Sequence, residues 1–287
     1  MNNINNITFF LFTYNEERRV ENMIRCLQGH GEIVLVDNFS TDQTLDIANR
    51  YSLKVLQHKN IGYVENETTM AFIESVCETE WMYLAYADEI IPLELMKILK
   101  EIAASNKYSV VKIYRKNYMF GVEVYNYGKH HLRMFKKGTI DFTNNIVHKL
   151  GKIKVPKKQV INVDKGNNTS IHHFSLYNME RLELVHSRYA GIESTQKSLI
   201  LNQKFSGVRA LYKLFSYFFG TYLYYGGFRA GWVGLFISIQ IAYYKFSIEA
   251  RIYEIDNNIN LNSMENAYSK IVEQILLKRS KNEKFLK

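Results

Sequence analysis

Two aspartates, Asp37 and Asp88, stand where an apolar run of the sequence gives way to polar residues. Asp37 follows the run 33–36, "IVLV", and Asp88 follows the run 81–87, "WMYLAYA". A charged group is costly inside a core, so a carboxylate at this position either marks a strand reaching the surface or faces a ligand. Facing a ligand, it could accept a hydrogen bond from an imide N–H or a hydroxyl group, or it could hold a divalent cation.

Short apolar runs alternate with amphipathic segments before residue 106, and this alternation predicts how the two aspartates are positioned. The runs 7–12, 33–36, 53–58 and 81–90 predict buried strands, each followed by a helical pattern. Strands that alternate with helices form an open, mostly parallel sheet, whose ligand site lies at the carboxyl ends of the strands. We therefore expect Asp37 and Asp88 to meet at one edge of such a sheet.

The composition narrows the class of partner. The formal net charge is +9, which favours a phosphate-bearing small molecule, an acidic membrane surface or a nucleic acid. The sequence has no recognition-helix or RNP-like pattern, so a nucleic-acid partner is not expected. The two cysteines lack disulfide or metal-ligand spacing and the N-terminus lacks a basic signal-peptide region, which together favour the cytoplasm.

The later part of the chain changes character twice. Short strands and turns over 108–165 predict an α+β completion of the same domain, and the sequence is helical from His172 onward. Lys213, Arg229 and Lys245 enclose two charge-free aromatic segments. Each is shorter than the roughly 20 apolar residues of a spanning helix, so we expect helices that lie in one leaflet of a membrane. A buried helical hairpin or an oligomer interface is the alternative.

Several motifs in order resemble the family 2 glycosyltransferases, especially the branch of lipopolysaccharide-core glucosyltransferases. The resemblance is carried by "FTYNEE", "IVLVDNFSTDQT", "WMYLAYADEI", "YRKNYMFG", "LRMFKKG", "NIVHK" and "IHHFSLYNMERL", and it covers nearly the whole chain. It implies a GT-A fold, in which helices flank a Rossmann-like, mostly parallel central sheet. Residues 1–168 would form the nucleotide-sugar-binding and catalytic domain. Residues 169–287 would form a helical, aromatic-rich region that associates with the membrane or oligomerises.

The resemblance also implies roles for single residues. Thr13 and Tyr14 would line a uracil pocket, with Tyr14 stacked on the base, and Asp37 would accept a hydrogen bond from the uracil N–H. Asp88 would bind the divalent cation, Mg²⁺ or Mn²⁺, that neutralises the leaving diphosphate. The full donor-binding set would be Thr13, Tyr14, Asn15, Glu16, Asp37, Ala87, Asp88 and Arg133. The catalytic set would contain Asp88 and a general base, with His148, Asp141 and Glu123 as the candidates.

Three positions depart from the family pattern. Tyr86 stands where the first acid of the strand-end motif is usual, Thr68 and Thr69 replace an Arg-Asn pair, and Lys149 replaces a glutamate. One hypothesis is a rearranged active site in which Lys149 or Arg133 supplies the missing positive charge. The alternative is a catalytically impaired relative that binds a nucleotide or a partner transferase at the membrane.

The sequence thus predicts an inverting glycosyltransferase that moves a hexose from a UDP-sugar to a lipid-linked or cell-surface polysaccharide acceptor. The acceptor would be of the lipopolysaccharide-core or capsule type. The enzyme would be cytoplasmic and peripheral on the inner face of the cell membrane, bound to its anionic surface. A homo-oligomer is compatible with the aromatic region.

Overall fold

The computed structural model describes residues 6–60, 65–124, 129–143 and 151–285, with side chains to residue 279. Within these ranges the strands are β1 Ile7–Thr13, β2 Glu32–Asp37, β3 Lys54–Gln57, β4 Trp81–Tyr86, β5 Glu89–Ile90, β6 Val110–Met119, β7 Val122–Glu123, β8 Lys129–Lys136, β9 Ile140–Asp141, β10 Lys152–Ile153, β11 Val160–Asn162 and β12 Ile171–Leu176. The α-helices are α1 Val20–Leu27, α2 Thr44–Arg50, α3 Glu67–Val76, α4 Leu93–Ser105, α5 Met179–Leu199, α6 Gly207–Phe219, α7 Gly231–Asp256 and α8 Leu261–Phe285.

One large sheet organises the fold, with strand order β3-β2-β1-β4-β8-β6-β12-β5. Strands β3, β2, β1 and β4 run parallel to one another, whereas β8 is antiparallel to both β4 and β6. The short strands β7 and β11 also pair with β6, and β9 and β10 form a separate two-stranded sheet. The predicted open α/β sheet flanked by helices is confirmed.

Strand β1 is apolar throughout because both faces of the parallel half are covered. Phe9 and Leu11 belong to the core cluster that contains residues of α1, α2 and α4, and Phe10 belongs to the cluster that contains Met70 and Ile73 of α3. Successive strand residues point to opposite faces, so one continuous apolar run serves two cores. This burial fixes where the run ends, and therefore where the first polar residues emerge.

Strand β12 brings the chain back to the sheet after the short strands. It runs parallel to β6 and antiparallel to β5, with His173 opposite Glu89. Residues on both sides of position 168 therefore share one sheet. The division into 1–168 and 169–287 remains a prediction.

The C-terminal helices pack on one another beside the sheet. Helix α7 contacts both α5 and α6, and α5 contacts β12. Much of α8 is exposed to solvent, including Tyr268, Ile271 and Ile275. Among the described helices, none combines the length and the apolar character needed to cross a membrane.

Glu193 of α5 makes a pH-dependent contribution to stability. Its carboxylate accepts a hydrogen bond from Tyr244 at 2.6 Å and pairs with Lys197 at 2.7 Å and Lys245 at 3.4 Å. Burial alone raises the pKa of this carboxyl, but Lys245, Lys197 and Tyr244 together lower it from 4.5 to about 2. A depressed pKa adds stability that is complete above the unfolded value and is lost as the pH falls through the folded one.

We expect Glu193→Gln to flatten the acid limb of the stability profile. Between about pH 6 and about pH 3, the free energy of unfolding should fall about 2 kcal/mol less in the variant than in the wild type. Urea unfolding at the two pH values measures this difference. Glu183→Gln, an exposed change on the same helix, is the control and should keep the wild-type slope. Parallel pH profiles for Glu193→Gln and the wild type would contradict the assignment.

Candidate active site

The carboxyl ends of β1 and β2 carry a buried threonine–aspartate pair. Thr13 and Asp37 are register partners, and Thr13 Oγ1 donates a hydrogen bond of 3.1 Å to Asp37 Oδ1. Ser40 donates twice more, from its backbone N–H to Oδ2 at 2.8 Å and from its hydroxyl to Oδ1 at 2.5 Å. Asp37 is fully buried. Its orientation is thus fixed by its own loop, an arrangement that serves loop structure and a ligand contact equally well.

The loop after β1 is tied to the loop after β2. Asn15 has a left-handed φ of 53°, a conformation that asparagine tolerates well. Its side-chain oxygen accepts from the N–H of Thr41 at 2.8 Å, and its own N–H donates to Ser40 Oγ at 2.9 Å. Tyr14, next to Thr13, is 41% exposed. The loop therefore presents a partly exposed aromatic ring next to the buried pair.

Asp88 lies between β4 and β5, at the same edge of the sheet. Its backbone carbonyl accepts from the N–H of Phe174 at 2.8 Å, so β12 fixes its position. Ala87, which precedes it, is buried. Because β2, β1 and β4 are consecutive neighbours in the sheet, Asp37 and Asp88 are separated by two strand spacings, about 10 Å. The two aspartates therefore share one edge, as the sequence predicts.

A histidine and an arginine face the Asp88 carboxylate, whose side chain is 24% exposed. His173 Nε2 lies 3.2 Å from Oδ2, and Arg19 Nη1 lies 4.0 Å from the same oxygen. Burial raises the pKa of Asp88, but the charges of His173 and Arg19 outweigh it and hold the pKa well below its usual range. Asp88 is therefore ionised at neutral pH, as a metal ligand or an electrostatic group must be.

Glu16 orients Arg19 toward this carboxylate. Arg19 Nε donates to Glu16 Oε2 at 2.7 Å and Nη2 donates to Oε1 at 2.6 Å, a bidentate pair. Burial raises the pKa of Glu16, although Arg19 opposes the shift. The guanidinium also lies 5.5 Å from the centre of the Tyr177 ring. Sequence reasoning missed Arg19, whose only signal is its position in the loop that leads from "FTYNEE" into α1.

His173 is held in an orientation that suits a metal ligand. Its Nδ1 lies 2.7 Å from Asn117 Oδ1 and its Nε2 faces Asp88. With Nδ1–H donating to the amide oxygen, Nε2 either carries a second proton or presents its lone pair beside the carboxylate. Two cis ligands at about 2.1 Å from one octahedral ion are about 3 Å apart, close to the separation of this nitrogen and oxygen.

The ligand set is small, however. Within the described residues there is no group of three or more His, Cys, Asp or Glu side chains arranged around a common metal position. Mg²⁺ and Mn²⁺ sites that also bind substrate phosphates often use one or two protein ligands. Phosphate oxygens and water complete the coordination shell. Asp88 and His173 fit such a site.

Arg133 is directed into the protein. Its Nη2 donates to Glu89 Oε1 at 2.6 Å, and Arg115 Nη1 lies 3.6 Å from the same oxygen. The Arg133 guanidinium also lies 4.6 Å from the centre of the Tyr86 ring. Arg133 and Glu89 are buried. The Arg133 guanidinium is thus engaged with Glu89 and Tyr86 inside the protein. A role for Arg133 in donor binding remains a prediction.

Tyr86, which occupies the position of the missing family acid, brings another carboxylate to the end of β4. Its ring stacks on Phe12, with ring centres 5.8 Å apart, and lies against Arg133 on β8. Its hydroxyl donates to Glu65 Oε1, in the segment that precedes α3. Burial and Glu65 together raise the pKa of the Tyr86 phenol, which therefore stays a hydrogen-bond donor at neutral pH. The phenol thus fixes Glu65 near the place where the family has an aspartate.

We expect Tyr86→Phe to weaken the binding of a nucleotide-sugar donor. Without the hydroxyl, Glu65 loses its anchor, so the donor KM should rise several-fold while stability falls by only about 1 kcal/mol. Steady-state kinetics and urea unfolding measure the two effects. Tyr51→Phe is a matched control, because Tyr51 donates a similar bond of 2.7 Å to Glu21, at the contact between α1 and α2. Equal KM changes in both variants would refute the role of Tyr86.

The general-base candidates are dispersed. Glu123 on β7 pairs with Tyr118 on β6, and Tyr118 pairs with Phe174 on β12. Strand β12 in turn pairs with β5, next to Asp88. Glu123 therefore lies about three strand spacings, roughly 14 Å, from Asp88. Its carboxylate lies 3.7 Å from Lys116. Asp141 is on the separate β9–β10 sheet, and the backbone N–H of Thr143 lowers the pKa of its carboxyl.

The other departures from the family pattern have different outcomes. Thr69 is buried, and its Oγ1 lies 3.1 Å from His58 Nε2, whereas Thr68 is exposed on α3. His148 and Lys149 lie outside the described residues.

Carboxylates at the carboxyl ends of the parallel strands β2 and β4, on either side of β1, together with a mixed half-sheet, are typical of an α/β protein of the GT-A type. The model of the family described as "Glycosyl transferase family 2" matches residues 8–164, more than half of the chain, so the chain belongs to this family. It is a glycosyltransferase.

Two relatives align over most of their length. A protein named "Uncharacterized glycosyltransferase" from Rickettsia bellii (strain RML369-C) is 25% identical, covering 88% of this chain and 88% of its own. The lipopolysaccharide core biosynthesis glycosyltransferase LpsC of Rhizobium meliloti (strain 1021) is 27% identical, covering 86% of this chain and 92% of its own. Among solved structures, residues 1–349 of S. aureus TarS superpose with a TM-score of 0.43 at 15% identity, covering 86% of this chain and 88% of that chain. This likeness is too distant to carry an argument.

Proposed function

We propose that the enzyme is an inverting glycosyltransferase that moves a hexose from a UDP-sugar to a lipid-linked or cell-surface polysaccharide acceptor. The observation that carries the proposal is the shared edge, where Thr13 and Asp37 end two strands and an ionised Asp88 follows a third. In a sheet of this kind the ligand lies in the crevice outside the strand ends. Uracil would contact Asp37 and Tyr14, and the diphosphate would lie toward Asp88.

Asp88 and His173 are the residues that would hold a divalent cation, Mg²⁺ or Mn²⁺. The bound cation would neutralise the diphosphate as it leaves, a Lewis-acid contribution. Arg19, oriented by Glu16, places a permanent positive charge beside the same carboxylate. This charge would support the leaving group where the family's Arg-Asn pair is replaced by Thr68 and Thr69.

Inversion requires a single displacement at the anomeric carbon. The acceptor oxygen forms a bond to that carbon while the bond to the diphosphate oxygen breaks, and the general base receives the hydroxyl proton. Asp141 is one candidate, although the hydrogen bond from Thr143 that lowers the pKa of its carboxyl also makes it a weaker base. Glu123 and His148 are the other candidates. In each case the base would act from the side of the sugar opposite the diphosphate.

The acceptor class rests on similarity. The relative LpsC is named for lipopolysaccharide core biosynthesis, and the two chains align over most of their length. A core or capsule acceptor is attached to lipid or to the cell surface, so the enzyme would work at the inner face of the membrane. The positive net charge suits that anionic surface.

A thermal-shift series with UDP, UDP-sugars and GDP, each with and without Mn²⁺, tests the donor assignment. A ligand that binds only the folded state raises Tm in proportion to the logarithm of its concentration, so UDP should stabilise and GDP should not. Hydrolysis or transfer of a UDP-hexose in the presence of Mn²⁺ would then establish turnover. The donor assignment is wrong if neither UDP nor any UDP-sugar raises Tm.

A further inference from the structure

Helices α6 and α7 form a hairpin, residues 207–256, in which small residues make the close backbone contacts between the turn and the start of α7. A Cβ atom added at Gly234 would lie 1.8 Å from the carbonyl oxygen of Gly227, and one added at Gly227 would lie 2.8 Å from that of Thr221. Ser238 and Ala210 are also buried. The backbones therefore touch directly. Close approach through small residues is characteristic of helices that pack in lipid, where large apolar side chains gain nothing by turning inward.

The hairpin has large apolar side chains on its outer face as well as on its inner face, where Ile237, Ile248 and Ile252 are buried. On α7 the exposed residues Trp232, Phe236, Ile239 and Tyr243 recur at helical spacing, and Trp232 is 73% exposed. On α6 and in the turn the exposed set is Val208, Leu211, Tyr212, Phe215, Phe219, Leu223, Tyr224, Tyr225 and Phe228. A helix with one face in water normally carries polar residues on that face, whereas a helix that is apolar on both faces is in contact with protein or lipid on both. So large an apolar surface marks an interaction site.

The base of the hairpin carries more cations than carboxylates. Glu249 pairs with Arg209 at 2.8 Å and with Lys213 at 2.6 Å. Glu193 pairs with Lys197 and Lys245 in the same region. Four cations thus share two carboxylates, and the three lysine side chains are only 16–18% exposed.

The lysines of this cluster are close to one another. Burial lowers the pKa of Lys245, and the charges of Lys197 and Lys213 lower it further, while Glu193 opposes both. The cluster of Lys197, Lys213, Lys245 and Arg209, called here the basic cluster, therefore has an unmatched positive charge. A phosphate group would balance it.

A single charged residue, Arg229, stands at the other end of the hairpin. The stretch of α7 from Gly231 to Lys245 is about 21 Å long at 1.5 Å per residue, less than the roughly 30 Å of hydrocarbon in a bilayer. Inserted tip first, the hairpin would carry Arg229 into the hydrocarbon at a high cost. Lying along the surface, it would keep both cationic ends at headgroup level.

We infer that the hairpin lies flat in the headgroup region of an anionic bilayer, with its aromatic side chains among the upper acyl chains and the basic cluster on a phospholipid phosphate. A second copy of the chain is a poorer occupant, because two basic clusters would repel each other across the contact. The inference depends on the proposed function in one respect only, which is that the acceptor substrate lies at the membrane. The C-terminal region therefore binds the membrane directly.

The two tryptophans make the test direct. Trp81 is fully buried and Trp232 is exposed, so a change in emission on adding vesicles reports on the hairpin. We expect a blue shift with vesicles of phosphatidylethanolamine and phosphatidylglycerol, with quenching by lipids brominated at shallow acyl positions. Phosphatidylcholine vesicles and inorganic phosphate should give little or no shift. An unchanged spectrum with anionic vesicles, or an equal shift with neutral ones, would overturn the inference.

Charge variants separate binding from folding, since two of them should act in opposite directions. Lys197→Gln removes one cation of the basic cluster and should weaken partition onto anionic vesicles, by up to about fivefold, the value for a lysine at a membrane surface. Glu193→Gln raises the local positive charge and should strengthen partition by a similar factor. Lys97→Gln, an exposed change on α4, is the control and should bind as the wild type does. Same-sign effects of Lys197→Gln and Glu193→Gln would count against the basic cluster.

The aromatic surface is tested by a matched pair. Tyr224→Ser in the hairpin turn should weaken vesicle binding, whereas Tyr268→Ser on α8 should leave it unchanged, although both tyrosines are largely exposed. Equal losses in the two variants would place the membrane contact elsewhere. UDP-induced stabilisation, measured without vesicles, should be the same in all of these variants. Failure of vesicle binding is therefore distinguishable from failure of the donor assignment.

Discussion

Asp88→Asn is expected to reduce transfer from a UDP-sugar at least about a hundredfold, because it removes a preorganised charge beside the developing diphosphate. The amide keeps the size of the side chain, and it can still accept a hydrogen bond from His173. The neutral amide also loses the attraction of His173 and Arg19 that lowers the Asp88 pKa, so Tm should fall moderately while the variant still folds. The defect should lie mainly in kcat, with a smaller effect on UDP binding.

Two measurements define the role of Asp88. Steady-state kinetics give kcat and KM, and thermal shift with UDP and Mn²⁺ gives binding without turnover. Wild-type protein should show a larger UDP shift with Mn²⁺ than without it, and Asp88→Asn should lose this difference. Asp46→Asn, an exposed change on α2, is the control for the same chemical substitution. Near-normal kcat in Asp88→Asn would exclude Asp88 from the reacting site.

The positions of Asp37 and Asp88 could be predicted from sequence because local pattern determines them. Each follows an apolar run long enough to be a buried strand, and parallel strands end at a common edge. The order of the remaining strands could not be predicted in this way. Strand β8 lies between β4 and β6, and β12 returns to pair with both β6 and β5. Such pairings join residues far apart in the chain, and no local pattern specifies them.

The same limit applies to the site. His173 reaches Asp88 only because β12 runs beside β5, and its sequence signal is a histidine pair with no metal-ligand spacing. Arg133 matches the family motif in sequence, yet its guanidinium lies against buried Glu89. Glu65 had no signal, since its link to Tyr86 crosses from one strand end to the segment before α3. Local pattern therefore locates the edge, and long-range pairing determines which side chains reach it.

Asp88 and Glu89 are adjacent acids with opposite surroundings, because successive residues near a strand point to opposite faces. Glu89 is the carboxylate shared by the guanidinium groups of Arg133 and Arg115. Burial lowers the pKa of Arg115, with Arg133 adding to the shift, while Glu89 opposes it. Glu89 is thus the counter-charge that two guanidinium groups share, and one of them, Arg133, also lies against Tyr86.

Glu89→Gln should destabilise the protein by about 3–5 kcal/mol, because it keeps the shape of the side chain but leaves buried guanidinium charge without a counter-charge. Urea unfolding measures the loss. The matched control is Glu80→Gln, whose partner Lys136 lies at 2.5 Å but whose side chain is 43% exposed, against 1% for Glu89. A solvated pair contributes less than about 1 kcal/mol, so the control should unfold nearly as the wild type does.

Equal losses of stability in the two variants would mean that burial does not determine how much the Glu89 ion pair contributes. If Glu89→Gln loses much more stability than Asp88→Asn, and Asp88→Asn folds but is inactive, then Glu89 stabilises the site and Asp88 takes part in the reaction.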